Sequence, residues 1–248
     1  MSKYIKTILI TGGTSGMGKS ILELLSSKGF KVVFTYYKRD KEARKLVNNL
    51  RKSNKNIYSF KINLEKHKDI DKLFTFAKKK LKNIDCLINN AAFFVERKKF
   101  ESLNLNHVKQ VMDINYFAVF RLCQLFAISN RKNKDWKTII NISSTAAKYG
   151  GIEFTHYAPT KAAIENLTKG LSRELAHKKI RVLSIAPGII DTRDLFKKEK
   201  KSTINKMLSS IPNKRFGHSI EVANLVNYLI DKKSEYINGT TITISGGR

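Results

Sequence analysis

The sequence predicts an α/β fold: one doubly wound parallel sheet of about seven strands with helices on both faces, in a single domain over residues 1–248. Three observations predict it. Short runs rich in Ile, Val and Leu alternate with longer runs of helical periodicity along the whole chain, as parallel strands joined by crossover helices require. The run at residues 85–90 is apolar at its centre with little alternation, as expected of a strand covered on both faces. Glycine-rich and polar segments recur at the carboxyl ends of these runs, where ligands bind in such sheets. With 248 residues, 42% of them hydrophobic, one large domain with an ample core fits better than two small ones.

The first strand is expected at residues 4–11. The turn Gly12-Gly13-Thr14-Ser15-Gly16-Met17-Gly18 follows at once, and residues 19–28 have helical periodicity that stops at Gly29. Residues 30–36 form a second strand. Strand, glycine turn, helix and strand within about thirty residues is the setting a dinucleotide-binding turn requires. The glycines let the backbone approach a pyrophosphate, and the helix N-terminus offers free N–H groups and the positive end of its dipole. The spacing is Gly-x-x-x-Gly-x-Gly, not Gly-x-Gly-x-x-Gly.

The end of the second strand reports on the ribose. An NAD site places an acid about 20 residues beyond the glycines. Here the strand ends in Tyr36-Tyr37 and continues with Lys38-Arg39. Two cations pair with a 2′-phosphate that a carboxylate would repel, so NADP is the expected cofactor. The competing reading makes Lys38 and Arg39 two more members of a lysine-rich surface.

Helix is expected at 40–52, strand at 56–63, and helix at 68–82 with Ile70, Leu73, Phe74 and Ala77 on one face. The fourth strand, 85–90, runs into Ala91-Ala92; its terminal asparagines either brace the backbone or contact a ribose. Residues 104–129 read as a long helix. Asn115 interrupts its apolar face, and on local pattern alone is a core asparagine bonded to backbone. A polar, basic loop at 130–137 precedes the strand at 138–142. The helix containing Tyr157 is expected to last to about residue 178. A strand at 180–186 ends in Pro187-Gly188-Ile189-Ile190-Asp191-Thr192. Residues 193–216 read as a charged, irregular, mobile flap, and the segment 191–215 is expected to set substrate shape, with Leu195, Phe196, Met207 and Leu208 its apolar exceptions. A helix at 219–232, N-capped by Ser219, and a strand at 240–245 close the fold.

The stretch from Asn141 to Lys161 carries the chemistry. Tyr157 and Lys161 sit four apart and share a helix face. An adjacent ammonium favours the phenolate, and a tyrosine tuned in this way gives a proton to a carbonyl oxygen or takes one from an alcohol. Ser144, at the mouth of the preceding strand, is placed to hydrogen-bond the same oxygen. The alternative is a surface tyrosine and lysine with no such task.

Taken together, these residues resemble the short-chain dehydrogenase/reductase family in its single-domain, Rossmann-fold form. The likeness rests on Thr11-Gly12-x-x-x-Gly16-x-Gly18, Asn89-Asn90-Ala91, Ser144, Tyr157-x-x-x-Lys161, Asn115 and Pro187–Thr192. Ala92 stands where the family usually has Gly, and Asn63-Leu64 where it often has an Asp before an apolar residue. The resemblance implies Tyr157 as general acid or base, with Lys161 lowering its pKa and bonding the nicotinamide ribose. It implies Ser144 as the group that polarises the carbonyl, and Asn115 as holder of a water that links Lys161 to a proton relay. Around the cofactor it implies Gly12, Thr14, Ser15, Gly16, Met17, Gly18, Tyr36, Lys38, Arg39, Asn63, Leu64, Asn90, Ala91, Ala92, Pro187, Gly188, Ile190 and Thr192, with Tyr157 and Lys161. Within the family the chain is most similar to the 3-oxoacyl-(acyl-carrier-protein) reductases; sugars, polyols and steroids are the alternatives. A homotetramer built on the Asn115 and Tyr157 helices is implied, or else a dimer.

The charge is unusual: 48 Lys plus Arg against 20 Asp plus Glu, a formal +28. That balance raises a nucleic-acid reading, but the lysines are spread along the chain with no basic arm. An acidic acyl carrier protein is the other partner it would suit, with Arg131, Lys132, Lys137, Lys178 and Lys179 as docking candidates. Cys86 and Cys123 lie in apolar patterns and read as buried thiols, with no metal site. No apolar run approaches the roughly 18–20 residues of a membrane span, and no signal peptide is evident. A cytoplasmic enzyme is the expectation.

Overall fold

A computed structural model describes residues 6–93, 96–192 and 200–248. Seven parallel strands form the central sheet in the order β3-β2-β1-β4-β5-β6-β9: β3 Ile57–Lys61, β2 Lys31–Tyr36, β1 Thr7–Ile10, β4 Cys86–Asn89, β5 Lys137–Ile142, β6 Ile180–Pro187 and β9 Thr241–Ile244. The doubly wound parallel sheet read from the sequence is therefore present, with boundaries shifted by a few residues at the strand starts. Residues 4 and 5 of the expected first strand lie outside the described residues.

Alternation along the strands divides the core into two layers. Ile8 and Ile10 of β1, with Val32 and Phe34 of β2, face α1 (Gly16–Ser27), α2 (Asp40–Arg51) and α9 (Ser219–Leu229). Leu9 and Val33 point the other way. There they join α3 (His67–Leu81), α5 (Ala118–Ser129) and α7 (Ala158–Glu174) through Leu73, Leu122, Phe126 and Ile164. The expected helical face of Ile70, Leu73, Phe74 and Ala77 is buried as a unit.

The long helix Leu105–Ser129 is built of α4 (Leu105–Met112), a π-helical turn (Asp113–Phe117) and α5. It corrects one expectation: at 25 residues it is long and apolar enough to cross a membrane. It instead buries Val111, Ala118, Val119, Leu122, Cys123 and Phe126 in the domain core.

Three local expectations change. The helix of Tyr157 ends at Glu174 and a 3₁₀ turn, Ala176–Lys178, completes the span. The stretch expected to be irregular contains α8 (Lys201–Ser209), and its flanks pair as a two-stranded sheet, β7 (Ile190–Asp191) with β8 (Gly217–His218). Leu195 and Phe196 lie outside the described residues. The N-cap of α9 is His218, not Ser219: the His218 N–H donates to Glu221 at 2.7 Å, while the Ser219 hydroxyl turns back to the Asp191 carbonyl.

Candidate active site

The strand order reverses at β1, which lies between β2 and β4. In a doubly wound sheet the ligand crevice opens at such a switch point. The carboxyl ends of β1 and β4 are stitched together there. The Asn90 amide donates to the carbonyls of Thr11 (2.9 Å) and Gly12 (3.0 Å). The Thr11 hydroxyl accepts from the N–H groups of Asn90 and Ala91. Of the two readings of Asn90, backbone bracing is the contact on display. Thr35, which no motif marks, holds the other side: its hydroxyl accepts from the Gly12 N–H at 3.1 Å, and its carbonyl from the Gly13 N–H at 2.9 Å. The signal was a polar residue buried near the end of an otherwise apolar strand.

This stitching leaves no room for side chains. Gly12 has φ +72°, and a Cβ on Gly18 would stand 2.0 Å from the Gly12 carbonyl oxygen. Gly18 thus lets α1 start directly against the strand end. Ser15 occupies the N-cap position of α1, its hydroxyl makes no capping bond, and the first turn holds no acid. The leading N–H groups at Gly16, Met17 and Gly18 have no intrahelical acceptor, and Thr14 and Thr192 flank them; a Cβ on Gly16 would lie 3.1 Å from the Thr192 methyl. A close-approach cradle with unspent donors and no anionic side chain fits a pyrophosphate.

The end of β2 carries Tyr36, half-buried, with its hydroxyl 3.5 Å from Asp40. Lys38 is exposed with its ammonium 5.4 Å from the centre of the Tyr37 ring, and Arg39 is the residue from which α2 starts. Asp40 is the nearest acid. It is paired with Lys61 at 2.8 Å, and that hydrogen bond holds its carboxyl below the usual range. The local carboxylate is thus occupied, and Lys38 and Arg39 complete a rim that fits a 2′-phosphate. Asn63 and Leu64 follow β3. The Asn63 side-chain oxygen accepts from the Glu65 N–H at 3.2 Å and Leu64 is buried, so Asn63 serves its own turn.

Ser144, Tyr157, Lys161 and Asn115 converge beyond β5. The Ser144 side chain faces the Tyr157 hydroxyl as the polar influence that opposes burial there, and its hydroxyl accepts from the Ala146 N–H. Its neighbour Ser143 is buried and committed elsewhere: its hydroxyl donates to Glu165 at 2.8 Å and approaches the Lys161 carbonyl. Two adjacent serines just beyond β5 therefore have different tasks. Lys161 is buried, donates to the Ile142 carbonyl at 2.8 Å and lies 5.7 Å from the centre of the Tyr157 ring.

The expected effect of Lys161 on Tyr157 is not what this geometry gives. Burial, which penalises the phenolate, pushes the Tyr157 hydroxyl up to about 12, and Ser144 is the opposing influence. Burial likewise brings Lys161 down to about 8. The ammonium is anchored to a main-chain carbonyl, and the tyrosine keeps its proton at neutral pH.

Asn115 is buried inside the π-helical turn, an irregularity frequent at functional sites. Its side-chain oxygen accepts from the Phe93 N–H at 2.7 Å, and its amide approaches the Phe93 carbonyl and the Thr160 hydroxyl, both at 3.4 Å. It ties the segment after β4 to the first turn of α7, in agreement with the local reading of a backbone-bonded asparagine. Ala92 is exposed on the same rim. Pro187 accepts from the Thr145 N–H at 3.0 Å, Gly188 donates to the Ile244 carbonyl, and Ile190 is buried in β7. The sequence-marked segments thus share one rim of the sheet.

The docking cations do not join them. Arg131, Lys132, Lys137, Lys178 and Lys179 lie around the amino ends of β5 and β6, at the opposite rim from Tyr157 of the same chain. Lys137 is largely buried and paired with Asp85, and the Lys179 ammonium is bonded to the Lys134 carbonyl.

Comparison with known proteins agrees with this architecture. The family model described as "Enoyl-(Acyl carrier protein) reductase" matches residues 12–248. A 3-oxoacyl-[acyl-carrier-protein] reductase from Aquifex aeolicus is 31% identical, over 98% of this chain and 96% of its own. The crystal structure of a short-chain dehydrogenase/reductase from Brucella melitensis, titled glucose/ribitol dehydrogenase, superposes with a TM-score of 0.90 at 28% identity, covering 100% of this chain and 98% of that one. A short-chain dehydrogenase from Burkholderia cenocepacia in complex with NADP gives a TM-score of 0.90 at 26% identity, over 98% and 97% of the two chains. With a nucleotide cradle and a Ser-Tyr-Lys cluster on one rim of a seven-stranded sheet, and with these matches over nearly the whole length, the chain belongs to the short-chain dehydrogenase/reductase family of nicotinamide-dependent oxidoreductases acting on CH–OH groups.

Proposed function

We propose that this protein is an NADP-dependent carbonyl reductase with Tyr157 as its proton donor. The observation that carries the reading is the Ser144–Tyr157 hydroxyl pair beside buried Lys161, on the same rim as the Gly12–Gly18 turn. Gly12, Thr14, Ser15, Gly16, Met17 and Gly18 would hold the pyrophosphate, Lys38 and Arg39 the 2′-phosphate, and Tyr36, Asn63 and Leu64 the adenosine. Asn90, Ala91, Ala92, Lys161, Pro187, Gly188, Ile190 and Thr192 would surround the nicotinamide end. When bound, the nicotinamide supplies hydride.

The chain's own residues manage the proton. A Tyr157 whose hydroxyl stays protonated at neutral pH is in the form that donates to a carbonyl oxygen as negative charge develops there. Ser144, facing that hydroxyl, orients the same oxygen. Lys161, mostly charged below about pH 8, stabilises the phenolate left after transfer. Asn115 acts through others, as the brace between Phe93 and Thr160.

A 3-oxoacyl thioester is the substrate class this reading favours, supported by the names of the acyl-carrier-protein reductases among its relatives. The second reading, a sugar or polyol, is supported by the glucose/ribitol dehydrogenase name of a structural neighbour. A homo-oligomer built on the long helices suits the half-exposed Phe117, Phe120 and Ile128. Two buried free cysteines suit the cytoplasm. The test is initial-rate oxidation of NADPH and of NADH with acetoacetyl-coenzyme A, in the parent and in Tyr157→Phe. Turnover with NADPH preference, lost in the variant while NADPH still binds, is the expected result. A Tyr157→Phe enzyme within a few-fold of the parent would overturn the assignment.

A further inference from the structure

Beside Tyr157 lies a histidine that the reaction described above does not use. His156 is 2% exposed, and among the described residues neither ring nitrogen has a hydrogen bond of normal geometry, the Glu96 backbone being a weaker polar neighbour. A buried imidazole so weakly hydrogen-bonded calls for a reason. Its ring lies against that of His107, tilted by 41° with centroids 5.6 Å apart, and His107 in turn meets the edge of Phe93 at 5.7 Å. Phe93 is the residue whose backbone Asn115 holds. A continuous set of contacts therefore runs from the π-helical turn, through Phe93 and His107, to the residue preceding Tyr157.

Two further contacts join the same segments. The Lys98 N–H donates to the Glu153 carbonyl at 3.0 Å, and the Arg97 guanidinium lies 5.1 Å from the centre of the Phe154 ring. Residues 96–98 and the loop before α7 are thus tied together, with His156 buried between them.

We propose that His156 and His107 form a positioning pair that holds Tyr157 in place only while His156 is neutral. This rests on the assignment of Tyr157 as proton donor. The charged groups that face His156 are His107 from α4 and Lys98 from the loop after β4, both cationic when protonated; the Glu96 backbone is the one neighbour that favours its charged form. Burial and these two cations hold its pKa below the ordinary imidazole value of 6.5. Protonation puts like charges into the His156–His107 contact, which the Glu96 backbone offsets only in part, so the rings separate and the Tyr157 segment loosens. The pair accordingly sets an acid limb, distinct from any alkaline limb due to Lys161.

The test follows Tyr157 directly, by the Cζ resonance of ¹³C-labelled tyrosine in the whole protein, assigned by its loss in Tyr157→Phe, between pH 5 and 8. In the parent the resonance is expected to follow a transition centred below pH 6.5. Removing a facing cation makes protonation easier, so His107→Phe and Lys98→Gln each move the midpoint upward. In His156→Gln the transition disappears. The kcat for acetoacetyl-coenzyme A with NADPH falls through the same midpoint and moves with it. A flat Tyr157 resonance in the parent, or a midpoint unmoved in both His107→Phe and Lys98→Gln, overturns the proposal. Those two substitutions fall on half-buried and exposed residues, so they decide the matter even where His156→Gln does not fold. If no turnover occurs with this thioester, the substrate reading falls and the resonance alone supports or overturns the pair.

Discussion

Lys161 donates its buried ammonium to the main-chain carbonyl of Ile142, at the end of β5, across 2.8 Å. Among the described residues no carboxylate offsets the charge; burial moves its pKa from 10.5 to about 8. The folded state therefore binds this proton more weakly than the unfolded chain. Stability is expected to rise with pH between about 8 and 10.5 as the buried charge is relieved. The penalty at neutral pH is roughly 3 kcal/mol, offset in part by the Ile142 bond. Lys161→Met should thus melt several degrees higher than the parent at pH 7 and lose turnover. An unchanged or lower melting temperature would show that the Ile142 bond compensates fully.

Ser143 and Ser144 should separate cleanly. Ser144→Ala removes the hydroxyl that faces Tyr157 and is expected to lower kcat about 10²-fold or more with the melting temperature little changed. Ser143→Ala strands the Glu165 carboxylate in a half-buried position. It should cost about 1–2 kcal/mol of stability and leave kcat within a few-fold. Thermal melts and initial rates on both variants check the pair, and the reverse pattern would exchange their roles.

Two glycines in helices should respond oppositely to alanine. At Gly18 the new Cβ meets the Gly12 carbonyl oxygen at 2.0 Å. Gly18→Ala should therefore spread the cradle and weaken NADPH binding about 100-fold or more, roughly 3 kcal/mol, as read by cofactor fluorescence. At Gly170, inside α7, nothing lies within 4 Å. Gly170→Ala should stabilise the protein by about 0.5–1 kcal/mol without changing cofactor affinity.

Arg181 is buried in β6 at 2% exposure. It donates to the Thr138 hydroxyl at 3.1 Å and to the carbonyls of Leu229 and Ser234 beyond the end of α9. Cationic groups suit the carbonyl end of a helix, and this one joins the sheet to it. Arg181→Met leaves the Ser234 carbonyl without its side-chain donor and the Leu229 carbonyl with the Ser234 hydroxyl, and should cost roughly 2–4 kcal/mol in urea unfolding. The NADPH dissociation constant of the folded fraction should not change, because the cluster lies at the opposite rim from the cofactor cradle.

The sheet was legible because its strands are short, apolar and bounded, and because burial on both faces removes alternation from β4 and β6. The cradle was legible because only glycine tolerates the approach between Gly12 and Gly18. The directions in which adjacent polar side chains are spent were harder to read. Asn63 serves its own turn and Asp40 is held by Lys61; both depend on neighbours brought together by folding. The Tyr157–Lys161 spacing was visible, but its electrostatics reversed expectation. Spacing along a helix says nothing of how much water each group loses, and water loss dominates both. The π-helical turn left no trace in the apolar pattern, since Val111, Asn115, Ala118 and Leu122 still bury one side of the helix. The docking cations were close in sequence to elements that matter, but a strand's length separates its two ends.

The π-helical turn at Asp113–Phe117 fits one residue more than a regular helix would need. Each helical residue turns the chain by about 100°. A deletion of one residue there would leave α5 free to keep its buried face, and the domain would still close. The price would fall upstream, where α4 would rotate against the core, carrying His107 away from His156 and Asn115 away from Phe93. Chain length at this one turn is therefore under tighter constraint than the identity of most residues in it. Variants that gain or lose a residue between Met112 and Ala118 should be folded proteins with a dismantled active site.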